Sequence, residues 1–454
     1  MRANARAVIG FSVVAAALLA VGMGQSWSVS LAVFNLCLIS AVMALGVNIQ
    51  WGYAGLFNVG TMAFAALGGL AAVLVSQPPV HDAMAAGGAG LLAAVAMTCL
   101  AAGSVWLACR LLPRGRPRAL GIAAAAVAGY FAVAAFFDPA VEAIEAVDPS
   151  TSGYLGGLGL PIMLSWAAGG LLAAGAAWAI GRVALGLRAD YFAIATLGIS
   201  EIVIAVLKNE DWLARGVKNV TGLDRPVPYE IDLQQAGWFL ELVRVLNSDA
   251  LAGLAEAEYA AALRELTVEA SGIFVKLCYA GLFLAVLLIV LALSERALRS
   301  PWGRMMRAVR DNETAAEALG KDVYRRHMQV FVLGSAVVGV AGAMLVTLDG
   351  QFTPNSYNPL RFTFLIWVMV IVGGSGNNLG AVLGGFIVWL SWIEAEPLAL
   401  WAVDALTAAM AEGDPIRVRL VEAAAHVRPI LMGTILLLVM RFSPRGVIPE
   451  TVGR

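Results

Sequence analysis

The sequence predicts an all-α fold: one polytopic transmembrane bundle over residues 1–454, of about 10–12 spans, with both termini cytoplasmic. Three observations lead there. Apolar runs of about 20 residues recur from end to end, the length that carries a helix across a bilayer core of about 30 Å. The runs are continuous and rich in Ala, Leu and Val, without two-residue alternation, so they are helices rather than barrel strands. The arginines collect in alternate loops. Composition agrees: the chain is 60% hydrophobic and only 13% charged, with a mean hydropathy of +0.81. Soluble domains are about a quarter charged.

The first span is predicted over 7–24. The apolar run lacks a clean small-x-small site after it, so a span is preferred to a cleaved signal peptide. Further spans follow at 28–50, 57–76, 88–110, 119–137, 160–181, 189–208, 272–294, 326–348, 362–373, 378–393 and 428–442. The 57–76, 362–373 and 378–393 runs are short or glycine-interrupted, which suits broken or re-entrant helices as well as full crossings. The topology treats 57–76 as a full crossing.

Arg2 and Arg6 place the N-terminus inside. The next inside loops then hold Arg110, Arg114, Arg116 and Arg118, and after them Arg182 and Arg188. Arg296, Arg299, Arg304, Arg307 and Arg310 follow, within a cytoplasmic segment at 295–325, and last come Arg441 and Arg445. The outer stretches are acidic. Residues 138–159 carry Asp138, Glu142, Glu145 and Asp148, and the long loop 209–271 has 11 Asp/Glu against 5 Lys/Arg. A further outer loop is expected at 394–427. The segments "SDALAGLAEAEYAAALRELTVEA" and "LALWAVDALTAAMAEGD" read either as surface helices on the membrane, as a platform for a partner, or as packed loops.

One cytoplasmic stretch, "RMMRAVRDNETAAEALG" (304–320), is unusually charged for this chain. Ser300 is a candidate cap and Pro301 suits a first helical turn. Thr314 and Glu317 have capping-box spacing, with Asn312 as a competing cap. Gly320 is placed to end the helix. One or two short helices across the cytoplasmic face result. Ala315, Ala316, Ala318 and Leu319 would offer a shallow surface to another protein; the alternative is a basic loop that only sets topology.

Glycine clusters at 51–69 and 373–385 allow close helix packing or broken helices lining a polar path. Asn58, Thr61, Ser375, Asn377 and Asn378 are the uncharged polar groups there. Glu201 is the carboxylate inside a span, where an ionised group costs roughly 2.5–3.5 kcal/mol. It therefore lines a path or makes a structural hydrogen bond.

Other chemistry finds little support. Cys37, Cys99, Cys109 and Cys278 have neither disulfide nor metal spacing and read as small buried hydrophobes. The histidines, at 81, 327 and 426, are scattered, so no metal site is expected. A net charge of −1 gives no reason to expect nucleic acid. There is no G-x-x-x-x-G-K-[ST] and no series of intramembrane carboxylates for an ion relay. No cofactor is expected in this chain, and an enzyme reading is weak.

Five blocks nevertheless occur in the order of a known family: "LGVNIQWGYAGLFNVGTMAFAALGG", "LRADYFAIATLGISEIV", "SPWGRMMRAVRDNETAAEALG", "TPNSYNPLRFTFLIWVMVIVGGSGNNLGAVLGG" and "RPILMGTILLLVMRFSPRG". On these the chain resembles the permease subunit of branched-chain amino acid ABC importers, the longer of the two permease types. "GVKNVTGL" (216–223) is similar to the family's glycine-rich loop after the Glu-bearing span. Thr61 stands where the family often has histidine, and the outer loop is enlarged between Arg225 and Ala270.

The resemblance implies a fold like that of the larger importer class, in a bacterial inner membrane. It makes 304–320 the ATPase-coupling segment, with Arg304, Arg307, Arg310, Asp311, Glu313, Ala315, Ala316, Glu317 and Gly320 as its residues. The translocation path would draw on Asn58, Thr61, Glu201, Ser375, Asn377 and Asn378. The implied partners are a homologous second permease, two cytoplasmic ATPase subunits that bind ATP and Mg, a periplasmic substrate-binding protein and the lipid bilayer. Urea or short amides are alternative solutes. A stand-alone secondary transporter or channel is the alternative mechanism.

Overall fold

The structure is a computed structural model and describes residues 2–148, 153–408, 410–411, 414–424 and 426–450. The Arg2 side chain, and residues 149–152, 409, 412–413 and 425 of the predicted outer stretches, lie outside the described residues.

Helix α1 (Arg2–Gly24) turns back into α2 (Trp27–Val47), whose start is capped by Ser26, its Oγ accepting from Val29 N at 3.1 Å. A π-turn, Asn48–Gly52, prolongs α2. After the non-helical stretch 55–60 comes α3 (Thr61–Ser76), then a long hairpin of α4 (His81–Leu111) and α5 (Arg116–Glu145). Helices α6 (Met163–Ala184) and α7 (Ala189–Asn209) follow.

The outer segment holds short elements: α8 (Asp211–Ala214), β1 (Val220–Thr221), α9 (Glu230–Gln235), α10 (Gly237–Leu246) and α11 (Ser248–Leu251). Next are α12 (Glu256–Arg299), α13 (Pro301–Asp311), α14 (Glu313–Ala318), α15 (Val323–Asp349) and β2 (Gln351–Phe352). The chain ends with α16 (Pro359–Gly373), α17 (Asn378–Leu406), α18 (Pro415–Ala424) and α19 (Val427–Phe442).

Nine of the described helices are long and apolar enough to cross a membrane, or ten if the bent pair α18–α19 is counted as one span. Helices α3 and α16 are apolar but shorter. The chain is thus a multi-pass, all-α membrane protein. Three boundaries differ from the sequence expectation. The 57–76 run is helical only from Thr61, and its 16 residues reach about 24 Å; the stretch 55–60 leads into it. Helix α12 is 44 residues long, so 256–271 continue the span instead of forming a separate surface helix. Helix α17 likewise runs past residue 393 to Leu406, taking in part of the expected 394–427 loop.

Helices α2 and α15 sit at the centre, flanked by α3, α6, α16 and α17. Glycine sets the spacing. A Cβ on Gly68 of α3 would stand 1.9 Å from the Gly339 carbonyl oxygen of α15, and one on Gly339 would stand 2.5 Å from that of Gly169 on α6. The three backbones meet directly, which is how helices associate in lipid without a hydrophobic drive. Cys37 is buried in this core, but Cys99 faces outward on α4, and Cys109 and Cys278 are half-buried. The expectation of buried cysteines fails at Cys99 because lipid, not protein, covers an apolar outward face.

At the acidic end, β1 pairs antiparallel with β2 (Val220 with Phe352, Thr221 with Gln351). Leu223 N adds a bond to the Gly350 carbonyl at 3.2 Å. The long outer segment is thereby tied to the turn between α15 and α16.

Candidate functional site

The charged segment at the basic end is two short helices, α13 and α14, separated by the extended Asn312. Ser300 occupies the cap position of α13 with Pro301 behind it, and its Oγ donates back to the Ala297 carbonyl at 2.6 Å. Gly303, Met306 and Val309 are buried, whereas Arg304 and Asp311 point outward. Arg307 is half-buried and donates to the Leu298 carbonyl at 3.2 Å. Arg310 turns inward: it donates to the Gly52 carbonyl and pairs with Glu450 and Asp311, both at 3.1 Å. Burial opposes its charge, but Glu450 and Asp311 outweigh that and raise its pKa.

Asn312 wins the cap of α14. It is extended, and its Oδ1 accepts from Ala315 N at 2.9 Å, so Thr314 does not serve. Gly320, at φ +74°, closes the helix: Gly320 N reaches the Glu317 carbonyl at 2.8 Å, and Lys321 N the Ala316 carbonyl at 3.1 Å. Ala316 packs inward. Glu313, Ala315, Glu317, Ala318 and Gly320 are exposed, with Glu313 3.6 Å from His327 Nε2. Leu319 is 79% exposed at the tip. The result is a small knob clamped to the ends of the membrane helices.

The two glycine-rich breaks are held by buried polar networks. Asn48 Nδ2 donates to Asn378 Oδ1 at 3.1 Å, Tyr53 Oη donates to the same oxygen at 3.0 Å, and Asn378 Nδ2 donates to Glu295 at 3.0 Å. Asn377 caps α17 through Gly380 N at 3.1 Å, while Ser375 is exposed. At the other break Asn58 Nδ2 donates to Gln50 at 2.9 Å, and its Oδ1 accepts from Gly60 N at 2.9 Å. Thr61 Oγ1 donates to the Asn58 carbonyl at 3.4 Å. Of the path candidates, Asn58 and Thr61 form one cluster and Asn377 and Asn378 another.

Helix α7 completes the start of α3. Thr196 Oγ1 accepts from Val59 N and Ser200 Oγ from Ala63 N, each at 3.1 Å. Two backbone donors freed by the break are thus satisfied by a neighbouring helix, as lipid requires. Glu201, next along α7, lies near the helix centre and faces out of the chain, on a stripe with Ile194, Gly198 and Ala205.

A family model described as "Branched-chain amino acid transport system / permease component" matches residues 29–440. The chain belongs to this permease family. It is 28% identical over 228 residues to the high-affinity branched-chain amino acid transport system permease protein LivM of Escherichia coli K12, covering 49% of this chain and 48% of that one. A probable branched-chain amino acid transport permease protein LivM of Methanocaldococcus jannaschii is 28% identical over 172 residues, 38% of this chain and 46% of the relative. The xylose transport system permease protein XylH of E. coli K12 is 31% identical over 117 residues, 24% and 30% of the two chains. The permease thus spans about half the length of the LivM relatives it matches. No solved structure matches it significantly.

Two carboxylates of the permease escaped the sequence reading. Glu394 on α17 is 6% exposed and accepts from Gln25 Nε2 at 2.7 Å, with its other oxygen unpaired. Asp349 ends α15 beside a cavity. Both sit one residue beyond a predicted span, 378–393 and 326–348. Among the described residues no group of His, Cys, Asp or Glu is arranged to hold a metal ion.

Proposed function

We propose that this permease is the membrane subunit of an ABC importer for branched-chain or other neutral amino acids, working by alternating access in a bacterial inner membrane. It pairs with a homologous second permease. Two ATPase subunits bind ATP and Mg at its cytoplasmic side, and a periplasmic binding protein delivers the solute over the outer segments. No bond in the solute changes in this chain.

The observation that carries this reading is the knob at 313–320. It is exposed, apolar at its tip, and follows directly on the anchored α13. Arg310 ties α13 to the end of α2 through Gly52 and to the C-terminal segment through Glu450. A push on the knob therefore reaches the central helices. The outward stripe on α7 supports the second-permease part. A carboxylate at mid-membrane is costly against lipid, so a covering of protein or water over Glu201 is expected, which supports a shared path on this face.

Reconstitution with the ATPases and binding protein tests the reading. ATP-dependent uptake of leucine, weakened in Glu201→Gln, and disulfide capture of the second permease by Gly198→Cys are expected. Urea or amide uptake instead of leucine would overturn the solute, and concentrative uptake by the isolated chain would overturn the mechanism.

A further inference from the structure

The outer half of the bundle contains a partly open cavity of about 270 Å³ lined by a single chain. Its walls are graded. Asp349, Gln351, Thr353 and Ser356, from the turn between α15 and α16, line the outer end, and Ile39, Met43 and Met369 line the depth. Among the described residues Asp349 makes neither a hydrogen bond nor an ion pair. Trp389 borders the same space, and its indole N–H is buried without an acceptor. Buried polar groups are ordinarily paired, so the Trp389 N–H points to an absent polar occupant, and Asp349, exposed at the mouth of the cavity, leaves a free carboxylate for a cation there.

We propose that this cavity is a holding site, within one permease subunit, for a compact solute with an ammonium head on an aliphatic body. Asp349 receives the ammonium by a charge-assisted hydrogen bond. Gln351, Thr353 and Ser356 supply donors at the same end for a carboxylate, and the apolar depth takes the aliphatic part. The cavity has room for a compact solute of amino-acid size. Leucine has that size and that division of polarity. The placement also links the site to delivery, because Gln351 belongs to β2, which pairs with β1 of the outer segment. A protein docked on that segment can shift the rim of the cavity. The solute class rests on the importer reading; the ammonium selectivity rests on Asp349 alone.

The test uses the full chain in nanodiscs, without ATPase or binding protein, and reads ligand binding by saturation-transfer NMR and competition. The probes are L-leucine, 3-methylbutylamine and 4-methylpentanoate. Leucine and the amine are expected to bind and the acid to bind at least about tenfold more weakly. Asp349→Asn, nearly isosteric, is expected to remove that preference, and Asp349→Glu to restore part of it. Equal binding of acid and amine, or unchanged affinities in Asp349→Asn with a normal melting profile, would overturn the site. Uptake by the reconstituted complex separates the two readings. ATP-driven leucine uptake without Asp349-dependent binding removes the site and keeps the importer. Asp349-dependent amine binding without amino acid uptake keeps the site and removes the assigned transport.

Discussion

Arg310 and Leu319 have opposite roles on one short segment. Arg310 faces the bundle and satisfies a carbonyl and a carboxylate, whereas Leu319 touches nothing that stability needs. Arg310→Gln is expected to lower thermal stability by about 1–3 kcal/mol, as the loss of a charged hydrogen-bond partner does, read by melting in detergent. Leu319→Asp is expected to leave melting within about 0.5 kcal/mol, as surface changes do, while co-purification of the ATPase subunits is lost. Retained ATPase binding in that variant would dismiss the knob as a docking site. At this scale the sequence was partly legible. It located the Ser300 position, Pro301 and the Gly320 stop, because those residues suit few other backbone states. It left Asn312 and Thr314 open, since both have a side-chain oxygen within reach of a helix start, and only the extended backbone at Asn312 decides. Charge sign did not reveal that Arg310 turns inward, because its partners Gly52 and Glu450 are far away in the chain.

Helix α3 shows how an element can begin inside a membrane. Its first donors would be orphans in lipid, and α7 supplies Thr196 and Ser200 as caps. Ser200→Ala is expected to cost about 0.5–1.5 kcal/mol, the worth of one hydrogen bond, because Ala63 N keeps a 3.3 Å bond to the Gly60 carbonyl; thermal unfolding measures it. The other end of the argument is packing. Gly68→Ala would force a Cβ against the Gly339 carbonyl and separate α3 from α15, so loss of folded protein is expected. Gly88→Ala on α4 meets nothing within 4 Å and serves as the neutral control. Equal yields of the two variants would show that the α3–α15 contact is looser than described. Glycine clusters in the sequence allowed both packing and breaking. The structure uses them for both, with the break at 55–60 and the contact at Gly68. The full length of α12 was hidden because 256–271 are mostly exposed and charged, so hydropathy ends where the helix does not.

Across the whole molecule, burial is uneven. Helices α4 and α5 pack along each other through Gly87, Gly90 and Ala140, yet only 6% of the membrane window of each is buried. They touch the rest mainly near Trp212, which meets Phe137 edge-to-face at 5.8 Å and donates its backbone N–H to Glu145 at 3.2 Å. The chain leaves α3 and returns to it at the same place. Val80 N bonds to the Leu155 carbonyl at 3.1 Å, and Leu158 and Leu160 N reach back to the Leu74 and Val75 carbonyls at 2.9 and 2.8 Å. The returning strand caps the end of α3, so the hairpin is an insertion whose ends are already joined. Hydropathy alone gave two ordinary spans here, since it reports length and not what a span packs against. Removing 81–153 and linking Val80 to Tyr154 by a short glycine–serine bridge deletes two crossings, so the remaining helices keep their orientation. The loop to close is short, and its entropy is small. The shortened permease is expected to insert, to melt as one transition and to bind the ATPases with affinity within about twofold of the full chain. Aggregation on extraction, or loss of the ATPases from a well-folded variant, would show instead that the hairpin belongs to the working core.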